Sequence, residues 1–359
     1  MPTWADWAAA EGQAVEAAGR WRRIVDLDEG LVSFASNDYL GLSQHPAVVA
    51  AAHAALDRWG AGGGAARLVA GSRPVHRELE AALAAWKGEP SALLFPTGYA
   101  ANLGVLATFA SAGVRVLSDE RNHASIVDGC RLSRAEVCVY RHLDLDQVDA
   151  LLRSAPGPSV VVTDTVFSMD GDVAPVEALA ALCADRGALL VLDEAHAVLG
   201  PDPDLEGVEH LRVGTLSKYL GSLGGFVAGP QAFVDLLVNR ARPFIFTTAS
   251  SPAGAAAALA AVEVLRSEEG ARLVGRLRAN VDLLAPRHPS PIVPIVIGDE
   301  DGTVAASAAL RERGLLVPAI RPPTVAPGTS RLRISVSATH TAAQIDALRE
   351  GLEAVCGET

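Results

Sequence analysis

Short apolar runs alternate with helical patterns between residues 90 and 192 of the chain. The runs show no alternation of apolar and polar positions, which is typical of strands buried on both faces. The predicted strands are 91–95, 114–117, 137–140, 160–165 and 188–192. The predicted helices between them are 99–110, 124–133, 145–153 and 176–185. This order predicts an α/β fold with a mainly parallel central sheet and helices on both faces.

The pattern changes around the proline-rich stretch 286–291. It then predicts, in order, a strand at 292–297, a helix at 302–313, strands at 315–320 and 332–336, and a helix at 341–355. The first 19 residues form an alanine-rich helical pattern. We therefore predict an N-terminal helical segment (1–36), a large α/β domain (37–285) and a smaller C-terminal α+β domain (286–359).

Composition narrows the class of protein. Of 359 residues, 50% are apolar and 20% are charged, with a mean hydropathy of +0.25, so the chain can bury a large core. A net charge of −12 without a basic stripe argues against nucleic-acid binding. Four separated cysteines without a CxxC pair argue against a zinc site or a disulfide scaffold. No apolar stretch is long enough to span a bilayer and the N-terminus is unlike a targeting peptide, so we expect a cytoplasmic protein.

Lysine usage draws attention to two positions. Among 30 basic residues only Lys87 and Lys218 are lysines. An arginine cannot lose its proton in a protein, whereas a lysine amine can and can then attack a carbonyl group. Lys87 has a structural interpretation, because it ends a predicted helix before Gly88. Lys218 lies in a glycine-rich segment, and we consider it as a reactive amine.

Polar residues follow the predicted strands at the edge where ligands bind in open α/β sheets. They are Thr97-Gly98-Tyr99, Asn122-His123, Phe167-Ser168, Asp193 to His196, and Thr215 to Lys218. The strand-to-helix turn at Thr97 offers a phosphate cradle, and Asp193 could keep a cofactor ring nitrogen protonated. With a lysine nucleophile and two histidines, these groups predict a pyridoxal 5′-phosphate (PLP) site.

Other interpretations compete at individual positions. His123 and Asp193 could each cap the turn that follows, and Ser168 could be ordinary turn chemistry. A Rossmann dehydrogenase lacks its GxGxxG, and a helicase with the Asp-Glu-Ala-His motif lacks its GxxxxGK[ST] loop. A metal site at Asp193, Glu194 and His196 has no second cluster to complete it, so we predict no metal.

Seven motifs in order carry a resemblance to a known family from about Arg20 to the C-terminus. They are Asn37-Asp-Tyr-Leu-Gly-Leu42, Gly98-Tyr-Ala-Ala-Asn-Leu103, Asn122-His-Ala-Ser-Ile126, Val166-Phe-Ser-Met-Asp-Gly-Asp172, Asp193-Glu-Ala-His196, Gly214-Thr-Leu-Ser-Lys218 and Ile320-Arg-Pro-Pro-Thr-Val325. The chain resembles the α-oxoamine synthases, PLP-dependent enzymes of fold type I. This resemblance implies an aspartate-aminotransferase-like fold and a homodimer with its active site at the subunit interface.

The resemblance also implies individual roles. Lys218 corresponds to the lysine that binds the cofactor and removes the Cα proton, and His123 to the histidine that stacks on the cofactor ring. The implied cofactor contacts are Gly98, Tyr99, Ser168, Asp193, His196 and Thr215, with Thr247 and Thr248 reaching the phosphate from the other subunit. The implied substrate contacts are Arg333 for the amino-acid carboxylate, together with His123, Thr324 and Arg20. Arg20, Arg22 and Arg23 could form a basic patch for an acyl carrier.

Within the family, the segment 320–334 favours the member that condenses L-alanine with pimeloyl-CoA or pimeloyl-acyl carrier protein in biotin biosynthesis. Two alternatives remain: a sibling enzyme that uses glycine or serine with another acyl thioester, and a catalytically silent PLP-binding homologue. The chain departs from the family pattern at Leu143, Asp164 and Ala197, where Asn, Glu and Gly are usual, and it lacks a Gly-Arg-Gly in the short stretch 200–207.

Overall fold

A computed structural model describes residues 3–22, 24, 26, 30–154 and 157–357 of the chain. The helices are α1 (Trp4–Ala17), α2 (Pro46–Trp59), α3 (Pro74–Lys87), α4 (Gly98–Phe109), α5 (Ala124–Leu132), α6 (Leu145–Ser154), α7 (Val176–Arg186), α8 (Gln231–Arg240), α9 (Arg242–Ile245), α10 (Pro252–Leu265), α11 (Glu268–Leu284), α12 (Glu300–Glu312) and α13 (Ala342–Cys356). The strands are β1 (Val32–Ser33), β2 (Ser91–Phe95), β3 (Arg115–Asp119), β4 (Glu136–Tyr140), β5 (Ser159–Asp164), β6 (Leu189–Asp193), β7 (His210–Thr215), β8 (Gly225–Gly229), β9 (Ile292–Gly298), β10 (Leu315–Leu316), β11 (Ala319–Ile320) and β12 (Ser330–Ser335).

The central sheet has seven strands in the order β2-β8-β7-β6-β5-β3-β4. The strands from β4 to β7 pair in parallel, and β8 lies antiparallel between β2 and β7. The predicted α/β class with a mainly parallel sheet is confirmed. Strands β2 to β6 coincide with the five predicted apolar runs. Strands β7 and β8 were not predicted, because Arg212 interrupts the apolar pattern of β7 and glycine begins and ends β8.

Apolar side chains cover the sheet on both faces. Val160 and Val162 of β5 point to a cluster with α4, α5 and α8, whereas Val161 between them points to a cluster with α6 and α7. All three valines are at most 3% exposed, and burial of such a side chain contributes about 1.5–3 kcal/mol. Because both faces of β5 are buried, this strand has a continuous apolar run in sequence. The expectation of burial on both faces is wrong for β4, since this strand lies at the edge of the sheet and exposes Val137 and Val139.

Local chemistry sets several helix boundaries. The Thr97 side chain accepts the Ala100 N–H and begins α4. Gly88 and Gly187 adopt left-handed conformations directly after α3 and α7, with φ of 68° and 62°. A left-handed residue of this kind ends a helix at little cost only if it is glycine. The helix ends predicted at these two glycines are therefore confirmed.

The chain forms two compact units. The larger contains Ser36–Val293 and Ser335–Asp346 and holds the central sheet. The smaller contains the described parts of Met1–Ala35, Pro294–Ile334 and Ala347–Thr359. The N-terminal segment and most of the chain after residue 293 therefore share one unit.

The smaller unit contains short strand pairs. β1 pairs in parallel with β10, and β12 lies between β11 and β9 in a three-stranded sheet. The prediction of a single strand at 315–320 is wrong. This segment forms two strands, β10 and β11, because Pro318 between them has no N–H to donate to a neighbouring strand. Within the described residues, no helix is long and apolar enough to cross a membrane.

Candidate active site

The carboxyl ends of four parallel strands bring polar residues to one edge of the sheet. Asp119, Asp164, Asp193 and Thr215 are the last residues of β3, β5, β6 and β7. Asp164 and Asp193 are register partners on neighbouring strands. Of the residues predicted to converge at this edge, Asp193 and Thr215 stand at strand ends there.

Asp193 is a buried carboxylate with two fixed partners. One oxygen, Oδ2, accepts the amide of Asn102 on α4 at 2.7 Å, and the other accepts the N–H of Ala195 at 2.9 Å. The Ala195 bond is the turn contact that the capping interpretation expects. A carboxylate can accept about four hydrogen bonds, so Asp193 can still take a further donor. The capping and cofactor roles are compatible at this position.

Lys218 begins a chain of hydrogen bonds in the turn between β7 and β8. Its Nζ lies 3.0 Å from Nε2 of His196, and Nδ1 of His196 lies 2.6 Å from the Tyr39 hydroxyl. Tyr39 donates to Oδ1 of Asn37 at 3.0 Å, so it accepts the proton on Nδ1 of His196. This tautomer leaves Nε2 of His196 as the acceptor for a Lys218 N–H. The lysine amine is thus oriented by the His196 ring.

His123 is positioned by its own side chain and by Asp164. Its Nδ1 accepts the Ser125 N–H at 3.2 Å, which makes it the N-cap of α5 as the structural interpretation expects. Its backbone N–H donates to Oδ2 of Asp164 at 2.7 Å. Desolvation lowers the pKa of His123; Asp193 opposes this effect and Lys218 adds to it, so the ring is neutral at pH 7.

Asp164 is the buried acid at the position where the family resemblance has glutamate. Burial and, second, the negative charge of Asp193 raise the pKa of Asp164 well above its usual value. One oxygen of Asp164 accepts the His123 N–H. Asp164 therefore supports the backbone of His123 from the strand next to Asp193.

The N-terminus of α4 lies close to Thr215 and to Gly225, which has no room for a side chain. A Cβ on Gly98 would lie 3.3 Å from Cβ of Thr215, and a Cβ on Gly225 would lie 2.5 Å from the Gly98 nitrogen. The first N–H groups of a helix have no partner within the helix, and the helix dipole favours an anion there. Tyr99 is 43% exposed, and its hydroxyl donates to Asp128. This arrangement can hold a phosphate group.

Ser168 lies in a tight turn that contacts of the His142 ring stabilise. The Phe167 carbonyl accepts the Gly171 N–H at 2.8 Å. The His142 ring bridges Asp119 (3.0 Å) and Asp172 (2.6 Å) and packs edge-on against Phe167 with ring centroids 4.4 Å apart. Burial alone would lower the pKa of His142, but hydrogen bonds to the two carboxylates and their charges raise it to about 9.

Leu143, where asparagine is usual in the family, has an unusual backbone conformation. Its φ of 60° lies in the left-handed region, which a leucine adopts at a cost of about 1–2 kcal/mol. Its N–H donates to Oδ2 of Asp119 at 2.9 Å, which holds the backbone in this conformation. Asparagine, the usual residue of the family, tolerates this region better.

The His142 cation predicts a pH dependence of stability. A raised pKa in the folded state stabilises the protein fully below pH 6.5, and this contribution is lost as the pH rises through about 9. We expect His142→Gln to lower the free energy of unfolding by about 3 kcal/mol more at pH 6 than at pH 10. Urea unfolding followed by circular dichroism at both pH values measures this difference. The matched control is His53→Gln, because His53 is an exposed histidine on α2. Equal losses for His142→Gln at both pH values would contradict the prediction.

Thr247 and Thr248 lie between α9 and α10 in a segment anchored from three sides. The Ala249 N–H donates to the Ala65 carbonyl at 2.9 Å, and Ser251 donates to the Ala61 carbonyl at 2.8 Å. Nδ1 of His76 accepts the Arg73 N–H, so its Nε2–H donates to the Ser250 carbonyl at 2.9 Å. Burial lowers the pKa of His76, which keeps this tautomer at neutral pH.

Of the four expected substrate residues, Arg20, Thr324 and Arg333 lie in the smaller unit, whereas His123 lies in the larger one. Arg333 belongs to β12 and is 5% exposed. Arg20 lies 3.9 Å from Glu300, whereas Nη2 of Arg22 donates to the Thr324 hydroxyl at 3.4 Å. Of these two arginines, the structure brings Arg22 to Thr324. Arg23, the third arginine of the expected patch, lies outside the described residues.

Sequence reasoning did not assign roles to Asn102, Tyr39 and Ser125, which orient Asp193, His196 and His123. The first two lie 91 and 157 residues from the groups they hold. All three residues lie in the motifs that carry the family resemblance, but the sequence does not indicate which residue each of them contacts. Within the described residues, no group of three or more histidine, cysteine, aspartate or glutamate side chains could hold a metal ion.

Comparisons with known proteins place the chain in a family. The model of the aminotransferase class I and II family matches residues 29–352. An 8-amino-7-oxononanoate synthase of Anaeromyxobacter dehalogenans (strain 2CP-1) is 49% identical, over 98% of this chain and 95% of that protein. A serine palmitoyltransferase from S. paucimobilis, solved with PLP and myriocin bound, has a TM-score of 0.90 at 30% identity and covers 98% of this chain and 96% of its own.

A second solved structure has the same name as the Anaeromyxobacter relative. It is an 8-amino-7-oxononanoate synthase from Francisella tularensis with a TM-score of 0.77 at 27% identity, and it covers 92% of this chain and 99% of its own. A further relative with that name, from Methylobacterium sp. (strain 4-46), is 46% identical over 96% of this chain and 95% of that protein. The chain therefore belongs to the aminotransferase class I and II family and, within it, to the 8-amino-7-oxononanoate synthases.

Proposed function

We propose that this chain condenses L-alanine with a pimeloyl thioester and releases carbon dioxide, the free thiol and 8-amino-7-oxononanoate, as a step of biotin biosynthesis. A C–C bond forms between alanine Cα and the thioester carbonyl carbon, the C–S bond breaks, and the alanine carboxylate leaves as carbon dioxide. The relatives that share 46–49% identity with the chain carry the name of this reaction. The structural observation that carries the proposal is the Lys218 amine, 3.0 Å from His196 in the turn that Asp193 begins.

PLP fits the residues at this edge of the sheet. The close approach of Gly98, Thr215 and Gly225 leaves backbone N–H groups for a phosphate, where any Cβ would intrude. Buried Asp193 has acceptor capacity for a protonated ring nitrogen, and Lys218 has the amine that a cofactor aldehyde requires. When bound, PLP supplies an electron sink for negative charge at the amino-acid Cα.

The residues of the chain then have separate tasks. Lys218 binds the cofactor and, as a free amine, takes the Cα proton of alanine. His196 accepts a Lys218 N–H and orients the amine. Asp193 holds a proton on the ring nitrogen, and Asn102 holds Asp193. His123 offers a neutral ring to stack on the cofactor. Ser168 and His196 would contact the hydroxyl group of the cofactor ring.

Three of the four substrate contacts are assigned to the smaller unit, and His123 is the fourth. Arg333 binds the alanine carboxylate, since a guanidinium can donate two parallel hydrogen bonds to it. Thr324 is assigned to the acyl substrate, and Arg22 donates to its hydroxyl. Arg20, which approaches Glu300, is assigned to the substrate as well. The acyl group arrives on coenzyme A or on an acyl carrier protein.

A homodimer is part of the proposal, with Thr247 and Thr248 reaching the phosphate of the other subunit. The same surface exposes Phe246 (69%), Leu68 (55%) and Val69 (80%). Large apolar side chains exposed together are typical of a protein interface. We further propose a cytoplasmic enzyme, because the four cysteines are free thiols, as in a reducing compartment.

The experiment that tests the reaction measures carbon dioxide release from alanine, glycine and serine, each with pimeloyl, acetyl, succinyl and palmitoyl thioesters. We expect alanine with pimeloyl thioester to give the highest kcat/KM. Faster turnover of serine with a palmitoyl thioester, or of glycine with a short acyl thioester, would assign the chain to a sibling reaction. No turnover with any pair by a PLP-loaded protein would make it a silent homologue.

A further inference from the structure

The second lysine of the chain is buried beside the candidate active site. Lys87 is the last residue of α3, and its Nζ lies 2.6 Å from Oε2 of Glu194. The side chains of Lys87 and Glu194 are only 4% and 2% exposed. The Lys87 ammonium also lies 4.1 Å from the centre of the Trp86 ring. An end-of-helix cation normally extends into water, so this burial requires another explanation.

Arg212 and Asp202 join Lys87 and Glu194 in a cluster of four charged groups. Nε of Arg212 donates to Oε1 of Glu194 at 2.7 Å, its Nη1 to the Lys87 carbonyl at 2.8 Å and its Nη2 to Asp202 at 2.7 Å. Two cations thus face two carboxylates, with one Glu194 oxygen for each cation. The cluster joins the end of α3, strand β7 and the shortened loop 200–207.

Glu194 is also part of the turn that carries the active-site groups. It follows Asp193 directly and precedes His196 by two residues. Its N–H donates to the Val213 carbonyl at 2.8 Å, and its carbonyl accepts the Ala197 N–H at 3.1 Å. A displacement of Glu194 would therefore move both Asp193 and His196.

We propose that Lys87 is a positioning residue that fixes the Asp193–His196 turn through its ion pair with Glu194. This inference rests only on the PLP-binding part of the proposed function. If the pair is broken on one side, a buried charge is left uncompensated, and the backbone must move to bring it to water. Lys87 suits the remaining oxygen because an ammonium is a compact point charge, whereas Arg212 already occupies the other oxygen with a planar group.

The test uses the full-length protein and PLP itself as the probe. PLP is removed and titrated back into wild type, Lys87→Met, Glu194→Gln and the double variant, and the dissociation constant and the visible absorption band are recorded. We expect each single variant to weaken PLP binding about tenfold and to shift the visible absorption band of PLP. Loss of a residue that orients the groups in contact with a bound ligand typically has an effect of this size. The double variant removes one positive and one negative charge, so we expect it to recover most of the affinity.

The control is Glu89→Gln, which breaks another buried ion pair. Oε1 of Glu89 lies 2.7 Å from Nε2 of His210, at the end of β7 remote from Thr215. It should lower the melting temperature without a change in PLP affinity or absorption. If Lys87→Met does not fold, the comparison of Glu194→Gln with the double variant decides the question.

Two results would overturn the positioning role: PLP affinity and absorption within twofold of wild type in the folded single variants, or a double variant no better than both singles. Condensation of alanine with pimeloyl thioester by wild type is measured separately. Its absence in a wild type that binds PLP would count against the proposed reaction and leave the role of Lys87 intact.

Discussion

Lys218→Arg is expected to abolish covalent attachment of PLP and to lower condensation by at least about 10²–10⁴-fold. An arginine keeps the positive charge but cannot lose a proton at accessible pH, so it can neither bind an aldehyde covalently nor act as a base. The His196 acceptor 3.0 Å from Nζ remains in the variant. The measurements are the visible absorption of the purified protein and its mass after borohydride reduction in the presence of PLP.

The matched control for Lys218 is the only other lysine of the chain. Lys87→Arg keeps a cation beside Glu194 and leaves Lys218 in place, so this variant should still be labelled after reduction. Peptide mapping should locate the label on Lys218 in wild type and in Lys87→Arg. A label on Lys87, or a yellow Lys218→Arg protein with a stable mass increase, would contradict the assignment.

Asp193→Asn is expected to slow exchange of the alanine Cα proton with solvent by about 10²–10⁴-fold. The amide has nearly the shape of the carboxylate, but it has no negative charge to keep a ring nitrogen protonated. Without that proton the cofactor is a weaker electron sink, so the Cα proton becomes less acidic. Proton NMR of alanine in heavy water measures the exchange rate without the acyl substrate.

Asp164→Asn provides the comparison for Asp193→Asn. Asp164 is the register partner of Asp193 and is also buried, and its pKa is raised well above the usual value, first by burial and then by the charge of Asp193. It holds the His123 N–H, and an asparagine at this position can still accept that N–H. Its loss of exchange activity should be much smaller than that of Asp193→Asn. Equal losses, or unchanged exchange in Asp193→Asn, would mean that Asp193 does not serve the ring nitrogen.

The main architecture is determined locally and could be predicted from the sequence. Strands β2, β5 and β6 have runs of successive apolar residues because both faces of the sheet are covered there, and this pattern is visible without any structure. Gly88 and Gly187 mark helix ends because their backbone conformation excludes most other residues. The candidate residues Lys218, Asp193 and His196 stood out because each follows such a strand or interrupts an arginine-rich composition.

The tertiary structure alone decided which groups meet. Asn102 holds Asp193 and Tyr39 holds His196, although 91 and 157 residues separate them, and no periodicity connects such pairs. Lys87 has the sequence of an ordinary helix end, and its burial against Glu194 arises only when α3 packs beside β7. His142 becomes a cation because folding brings Asp119 and Asp172 to its two ring nitrogens. Hydrophobic patterning is a property of neighbouring residues, whereas ionisation and hydrogen-bond partners depend on side chains that only the folded chain brings together.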